Sequence, residues 1–187
     1  RKAGAVELYE QIVYRDPYAG RDEEPQAEPI LLTDAQQAAY DTILAGDPGK
    51  PALLYGVTGS GKTQVYLRLV QEILSRGRRA MVLVPEIVLT PQMMRRFSAC
   101  FGDQVAMLHS SLRMTERYDQ WKRIRRGEVQ VVLGTRSAIF APLKNVGLIV
   151  LDEEQESSYQ SENPPRYHTR DVAKYLCARD KSTLLLG

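Results

Sequence analysis

A glycine-rich string, GVTGSGKT at 56–63, separates the short apolar run PALLYG (51–56) from the amphipathic pattern KTQVYLRLVQEILSRG (62–77). No other feature restricts the fold as strongly, because it demands a strand, a tight loop and a helix in that order. Gly56, Gly61, Lys62 and Thr63 occupy the fixed positions of G-x-x-x-x-G-K-[ST]. Glycines let such a loop curl until its backbone N–H groups, here those of Thr58, Gly59, Ser60 and Gly61, point inward at an anion. The following helix adds the positive end of its dipole. In this pattern a lysine such as Lys62 bridges β- and γ-phosphate oxygens, and a hydroxyl such as that of Thr63 holds Mg²⁺. Stripped of its flanks, the string would read as a turn; the strand before it and the helix after it favour a nucleotide site.

The remaining chain alternates in the same way. Apolar runs at 79–85, 104–110, 129–134, 147–152 and 182–187 alternate with helical patterns at 90–102, 114–127 and 170–180, and a further helical pattern at 34–46 precedes the glycine string. Runs that are apolar throughout, rather than at every second residue, belong to strands buried on both faces, so the sheet is expected to be parallel and the class α/β, doubly wound. Thr33 is placed to cap the first helix and Pro91 to open the one at 90–102. Residues 1–29 differ: QIVYRDPYAGRDEEPQAEPI is acidic and proline-broken, and reads as the tail of a preceding element and a linker, with a boundary near residue 30.

The second chemical signal is LIVLDEEQ, which delivers Asp152 and Glu153 to the carboxyl end of a strand, where open α/β sheets bind ligands. There Asp152 can hold the water shell of Mg²⁺ bound at Thr63, and Glu153 can orient and deprotonate an attacking water. An acidic loop capping a helix is the alternative for this string taken alone. Gln36, about 20 residues before the loop, carries an amide that can both donate to and accept from an adenine edge. A net charge of +2 does not by itself mark a nucleic-acid binder. Cys100 and Cys177 are isolated and unfit for a zinc site, and no apolar run is long enough for a membrane span or arranged as a signal peptide, so a cytoplasmic protein is expected.

Taken in order, LTDAQQAAYDTI, YGVTGSGKTQVYL, VLVPEIVLTPQM, HSSL, GTRSAIFAP and LIVLDEEQ resemble the motifs of superfamily 2 helicases. PEIVLTPQ, GTRSAIFAP and RYHTRD together resemble the bacterial replication-restart (primosomal) DNA helicases. The resemblance covers 31–187 and implies the first RecA-like lobe of a 3′-to-5′ motor, a three-layer P-loop NTPase domain using ATP and Mg²⁺. It implies adenine contacts from Thr33 and Gln36. It also places Pro85, Glu86, Thr90, His109, Gly134, Thr135 and Arg136 along the DNA path. The polar segment 155–171 resembles an aromatic-rich loop that senses single-stranded DNA, with Tyr159 and Tyr167 stacking on bases and Arg166 and Arg170 holding phosphates.

Gln155 departs from the histidine that the family carries at the end of this acidic tetrad, a position that couples hydrolysis to movement. The chain also stops where the family continues, so a second lobe with arginine fingers and a cysteine-rich zinc insertion is expected outside it. Implied partners are forked and single-stranded DNA, single-strand-binding and replication-restart proteins. A different superfamily 2 translocase, or a nucleotide-dependent assembly module that does not translocate, remains an alternative. The basic cluster Lys122, Arg123, Arg125 and Arg126 is read as a solvated helix end and Trp121 as a packing residue.

Overall fold

A computed structural model describes residues 29–57 and 59–187; the reading of 1–29 as a linker, save its last residue, and the side chain of Thr58 fall outside the described residues. Six strands form one sheet: β1 (Pro51–Leu53), β2 (Arg79–Leu83), β3 (Val105–Leu108), β4 (Val131–Gly134), β5 (Val146–Leu151) and β6 (Thr183–Leu186). Their order is β1-β6-β5-β2-β4-β3, and every pairing is parallel. Five helices, α1 (Asp34–Ala45), α2 (Lys62–Ser75), α3 (Pro91–Phe101), α4 (Met114–Arg126) and α5 (Thr169–Asp180), complete the described elements apart from three short 3-10 turns.

The apolar runs of β2 to β5 are strands buried on both faces, as their composition requires, and β6 nearly so. At the edge of the sheet β1 is not: Leu53 is exposed. Along β2, Ala80 and Val82 enter one core with Val70, Phe97 and other side chains of α1, α2 and α3. Met81 and Leu83 point the other way, into a second core with Ile124 of α4 and Ala173 and Cys177 of α5. Two cores on one sheet make three layers. Thr33 caps α1 by accepting from the Gln36 N–H, and the Gln36 side chain returns a bond to the Thr33 N–H, a capping box. Pro91 opens α3 behind the Thr90 cap.

Within GTRSAIFAP, Arg136–Phe140 form a 3-10 turn after β4. One segment differs from its sequence reading. The 155–171 connection is no free loop: a 3-10 turn at Ser157–Tyr159 and an antiparallel bridge between Gln160 and His168 fold it back on itself.

The strand order determines what meets at the carboxyl edge of the sheet. Backbone bonds carry the ladder just past the strand ends: Leu54 N–H to Leu186 O, Gly187 N–H to Leu151 O, Asp152 N–H to Leu83 O, Val84 N–H to Gly134 O and Thr135 N–H to Leu108 O. The segments leaving β1, β6, β5 and β2 therefore lie side by side. The glycine string and the acidic tetrad flank the end of β6. The segments leaving β2, β4 and β3 occupy the other half of the same edge.

Candidate nucleotide site and nucleic-acid edge

The described part of the loop between β1 and α2 is shaped by a positive-φ glycine and a brace from α1. Gly61, the N-cap of α2, has φ +81°, and a Cβ there would collide with the Gln36 amide. That amide donates to Ser60 O at 3.1 Å, so α1 braces the loop directly. No side chain caps α2; the Gln64 N–H bonds back to Gly61 O, and the N–H groups of Lys62 and Thr63 remain available to an anion. At its first position, Lys62 donates to Gly56 O at 3.3 Å and to Glu153 Oε1 at 3.2 Å.

Glu153 sits in the left-handed region, φ +48°, in the turn after β5. Non-glycine residues visit that region at a cost and often at functional sites. Its second oxygen accepts from Gln155 Nε2 at 2.7 Å. The Gln155 bond, followed by Lys62, holds the Glu153 carboxyl below the usual glutamate range, although partial burial pushes the other way. A depressed carboxylate adds stability above the ordinary glutamate range and loses it as pH falls through the lowered value. The wild-type melting temperature is therefore expected to fall more steeply than that of Glu153→Gln as pH drops through this acidic window. Parallel thermal melts would check this, and identical pH slopes would contradict it.

Asp152 is only 6% exposed. Burial pushes its carboxyl up, opposed by the Tyr66 hydrogen bond and the Lys62 charge. Tyr66, fully buried on α2, donates its hydroxyl proton to Asp152 Oδ1 at 2.9 Å. The other Asp152 oxygen has no side-chain donor among the described residues, and neither does the Thr63 hydroxyl make a side-chain bond there. No cluster of three or more metal-ligating side chains exists among the described residues. A hydroxyl and one carboxylate are too few to cage an ion, yet they suit Mg²⁺, which keeps waters and phosphate oxygens as its other ligands.

The residues read as DNA contacts divide sharply. Glu86 and Thr90 are exposed and His109 half-buried, all at the carboxyl edge beyond β2 and β3. Burial and then the Arg117 charge lower the His109 pKa, favouring a neutral ring. Pro85 and Thr135 are buried and shape this edge from beneath, a correction to their reading as contact side chains. Arg136 donates to Gln160 O at 2.7 Å and Ser158 O at 3.3 Å, tying the β4 exit to the 155–171 segment.

Tyr159 is the clearest correction. It is 0% exposed, with its hydroxyl 2.9 Å from Leu83 O and 2.8 Å from Asp152 O, so no ring face is free to stack on a base. Arg170, read as a phosphate ligand, instead forms an ion pair with Glu154 at 2.9 Å. Arg166 is exposed, and Tyr167 is half-buried edge-on against Phe140, with centroids 4.9 Å apart. Trp121 does not pack in the core: it is 36% exposed beneath Arg125, and Lys122 lies over Tyr118.

The sequence reading passed over Tyr66 and Gly187. The only trace of the first is a tyrosine among the otherwise aliphatic buried positions of α2, Val65, Leu67, Leu69, Val70 and Ile73. Gly187, next to β6, lies so close to Tyr66 that a Cβ there would overlap the hydroxyl.

A parallel sheet with a phosphate loop after β1 and paired carboxylates after β5 is the layout of a RecA-like nucleotide-binding lobe. Residues 33–186 match the DEAD/DEAH box helicase family, and the chain belongs to that family. Over 184 residues, 97% of the chain, it is 50% identical to the replication restart protein PriA of Bacillus subtilis. Over its whole length it is 44% identical to PriA of Synechocystis. It spans 23% and 22% of those two proteins. Among solved structures, RecG bound to a three-way DNA junction matches with a TM-score of 0.60, at 24% identity over 85% of this chain and 21% of that one. The UvsW helicase of bacteriophage T4 matches with a TM-score of 0.59, at 16% identity over 82% of this chain and 51% of that one. Both likenesses concern the fold. No helix among the described residues is long and apolar enough to cross a membrane.

Proposed function

We propose that this lobe binds ATP with Mg²⁺ at 56–63 and forms half of a 3′-to-5′ DNA helicase motor working in replication restart. The observation that carries the reading is the contact of Lys62 with Glu153 across the mouth of an uncapped helix N-terminus. Phosphate is the natural competitor for that lysine. When Lys62 turns to β- and γ-phosphate oxygens, Glu153 loses one of its two restraints and becomes free to take a proton from a water aligned with the γ-phosphorus. Bound Mg²⁺, beside Thr63 and Asp152, would supply charge neutralisation at the phosphates. Gln36, which already braces the loop, has a second N–H and a second lone pair for adenine, next to Thr33.

In this reading Gln155 is the coupling residue. It holds Glu153 with a neutral amide, so its withdrawal releases the base without any proton transfer. Single-stranded DNA would run along the other half of the same edge, past Glu86, Thr90, His109, Arg136, Arg166 and Tyr167. Single-strand-binding and replication-restart proteins are the partners in this proposal. The charge-stabilising arginines would come from a second lobe, and an arginine finger contributes about 10³–10⁵ in rate.

The test grafts this chain in place of the corresponding segment of its Bacillus subtilis relative. The chimera is expected to unwind forks and partial duplexes entered from a 3′ single strand, with DNA-stimulated ATP hydrolysis, while the 187-residue chain alone turns over ATP slowly at best. A chimera without DNA-stimulated hydrolysis, or DNA-stimulated turnover by the chain alone at the chimera's rate, would contradict the reading.

A further inference from the structure

Tyr66 is not one of the motif residues, yet its hydroxyl is the side-chain donor that holds the buried carboxylate of Asp152. The helix that follows the phosphate loop thus reaches beneath the loop to the end of β5, at 2.9 Å from Asp152 Oδ1. The residue just past the neighbouring strand β6 leaves room for this reach: at Gly187 a Cβ would overlap the Tyr66 hydroxyl and come within 3.5 Å of Asp152 Oδ1. The backbone of the same glycine is engaged on both sides, donating to Leu151 O and accepting from Glu154 N–H, each at 2.9 Å. It cannot shift to accommodate a side chain without moving both ends of the acidic tetrad's first turn.

We propose that Tyr66 is a positioning residue for the Mg²⁺ of this site, and that Gly187 is glycine because the tyrosine passes there. By engaging Oδ1, the hydroxyl decides which Asp152 oxygen is presented to the metal's water shell and stops the carboxylate from rotating. In this proposal the tyrosine acts through Asp152. This inference rests on the nucleotide reading above.

The experiment measures ATP affinity of the 187-residue chain twice, in Mg²⁺ and in EDTA, for wild type, Tyr66→Phe and Gly187→Ala, with a thermal melt of each. The readout is the ratio of the two affinities. Partners that orient a metal ligand typically contribute about 10–100-fold to metal affinity. Tyr66→Phe is expected to shrink the Mg²⁺-dependent gain by about ten-fold or more and to leave affinity in EDTA unchanged. Gly187→Ala is expected to do the same by displacing the hydroxyl. A purely structural role would weaken both arms alike and keep the ratio, and that outcome overturns the inference, as does a wild-type ratio in Tyr66→Phe. Should Gly187→Ala fail to fold, Tyr66→Phe decides alone. A wild-type chain that binds no ATP in either buffer would overturn the nucleotide reading itself, a result distinct from an unchanged ratio.

Discussion

Replacing Lys62 by alanine is expected to weaken ATP binding by about 10–150-fold, the loss that follows when a charge-assisted contact to phosphate, worth about 1.5–3 kcal/mol, disappears from a partly enclosed site. Lys62 begins α2, where the uncapped N–H groups already favour an anion. Its ammonium rests on Gly56 O and Glu153, acceptors that phosphate oxygens can replace. The substitution removes the cation from the pocket and leaves the backbone cradle intact, so residual binding should persist at high nucleotide concentration. Fluorescent-nucleotide titration of the two proteins would read the difference. Affinity within a factor of about three of wild type, only ~0.7 kcal/mol, would mean that the lysine serves the Glu153 contact alone.

Tyr159→Ala is expected to lower stability by about 3–5 kcal/mol, the range for truncating a large aromatic side chain in a packed core. For a chain of this size that corresponds to a fall in Tm of roughly 6–20 °C. The residue is fully buried, and its loss would leave a cavity beside the end of β5. Leu83 O and Asp152 O would lose the hydroxyl between them. Thermal melts and single-stranded DNA binding together distinguish this role from the one first expected. If Tyr159 were a base-stacking residue, the substitution would leave Tm unchanged and reduce DNA affinity.

The two cases show what was legible in the residues and what was not. The role of Lys62 is local: GVTGSGKT, the apolar run before it and the amphipathic pattern after it lie within one short stretch of chain, and they specify a strand, a loop and a helix without distant information. The α/β class was legible for the same reason, since each apolar run declares a doubly buried strand on its own. The cap at Thr33 and the opening of α3 at Pro91 are equally local. The order β1-β6-β5-β2-β4-β3 was not, because it depends on which distant runs pair.

Tyr159 stands in a polar, proline-broken segment whose composition describes an exposed connection. Its burial depends on Leu83 O, 76 residues earlier in the chain. Tyr66 finds Asp152 at a separation of 86 residues, and Gly187 makes sense only once β6 is paired beside β5 and the Tyr66 hydroxyl is seen to lie against it. Arg170 read as a phosphate ligand because its charge was visible and Glu154, its partner, was assigned to an acidic motif. Motifs expose which chemistry is present; the partners that fix each group in place come from elsewhere in the sheet.

If 56–63 with Asp152 and Glu153 is a nucleotide site, titration of the unsubstituted chain with ATP should show saturable binding of one ATP per chain, tightened by Mg²⁺ and displaced by ADP. Tm should rise as the logarithm of free nucleotide above Kd. Absence of saturable binding at millimolar ATP, with Tm unmoved in the presence of Mg²⁺, would contradict that reading.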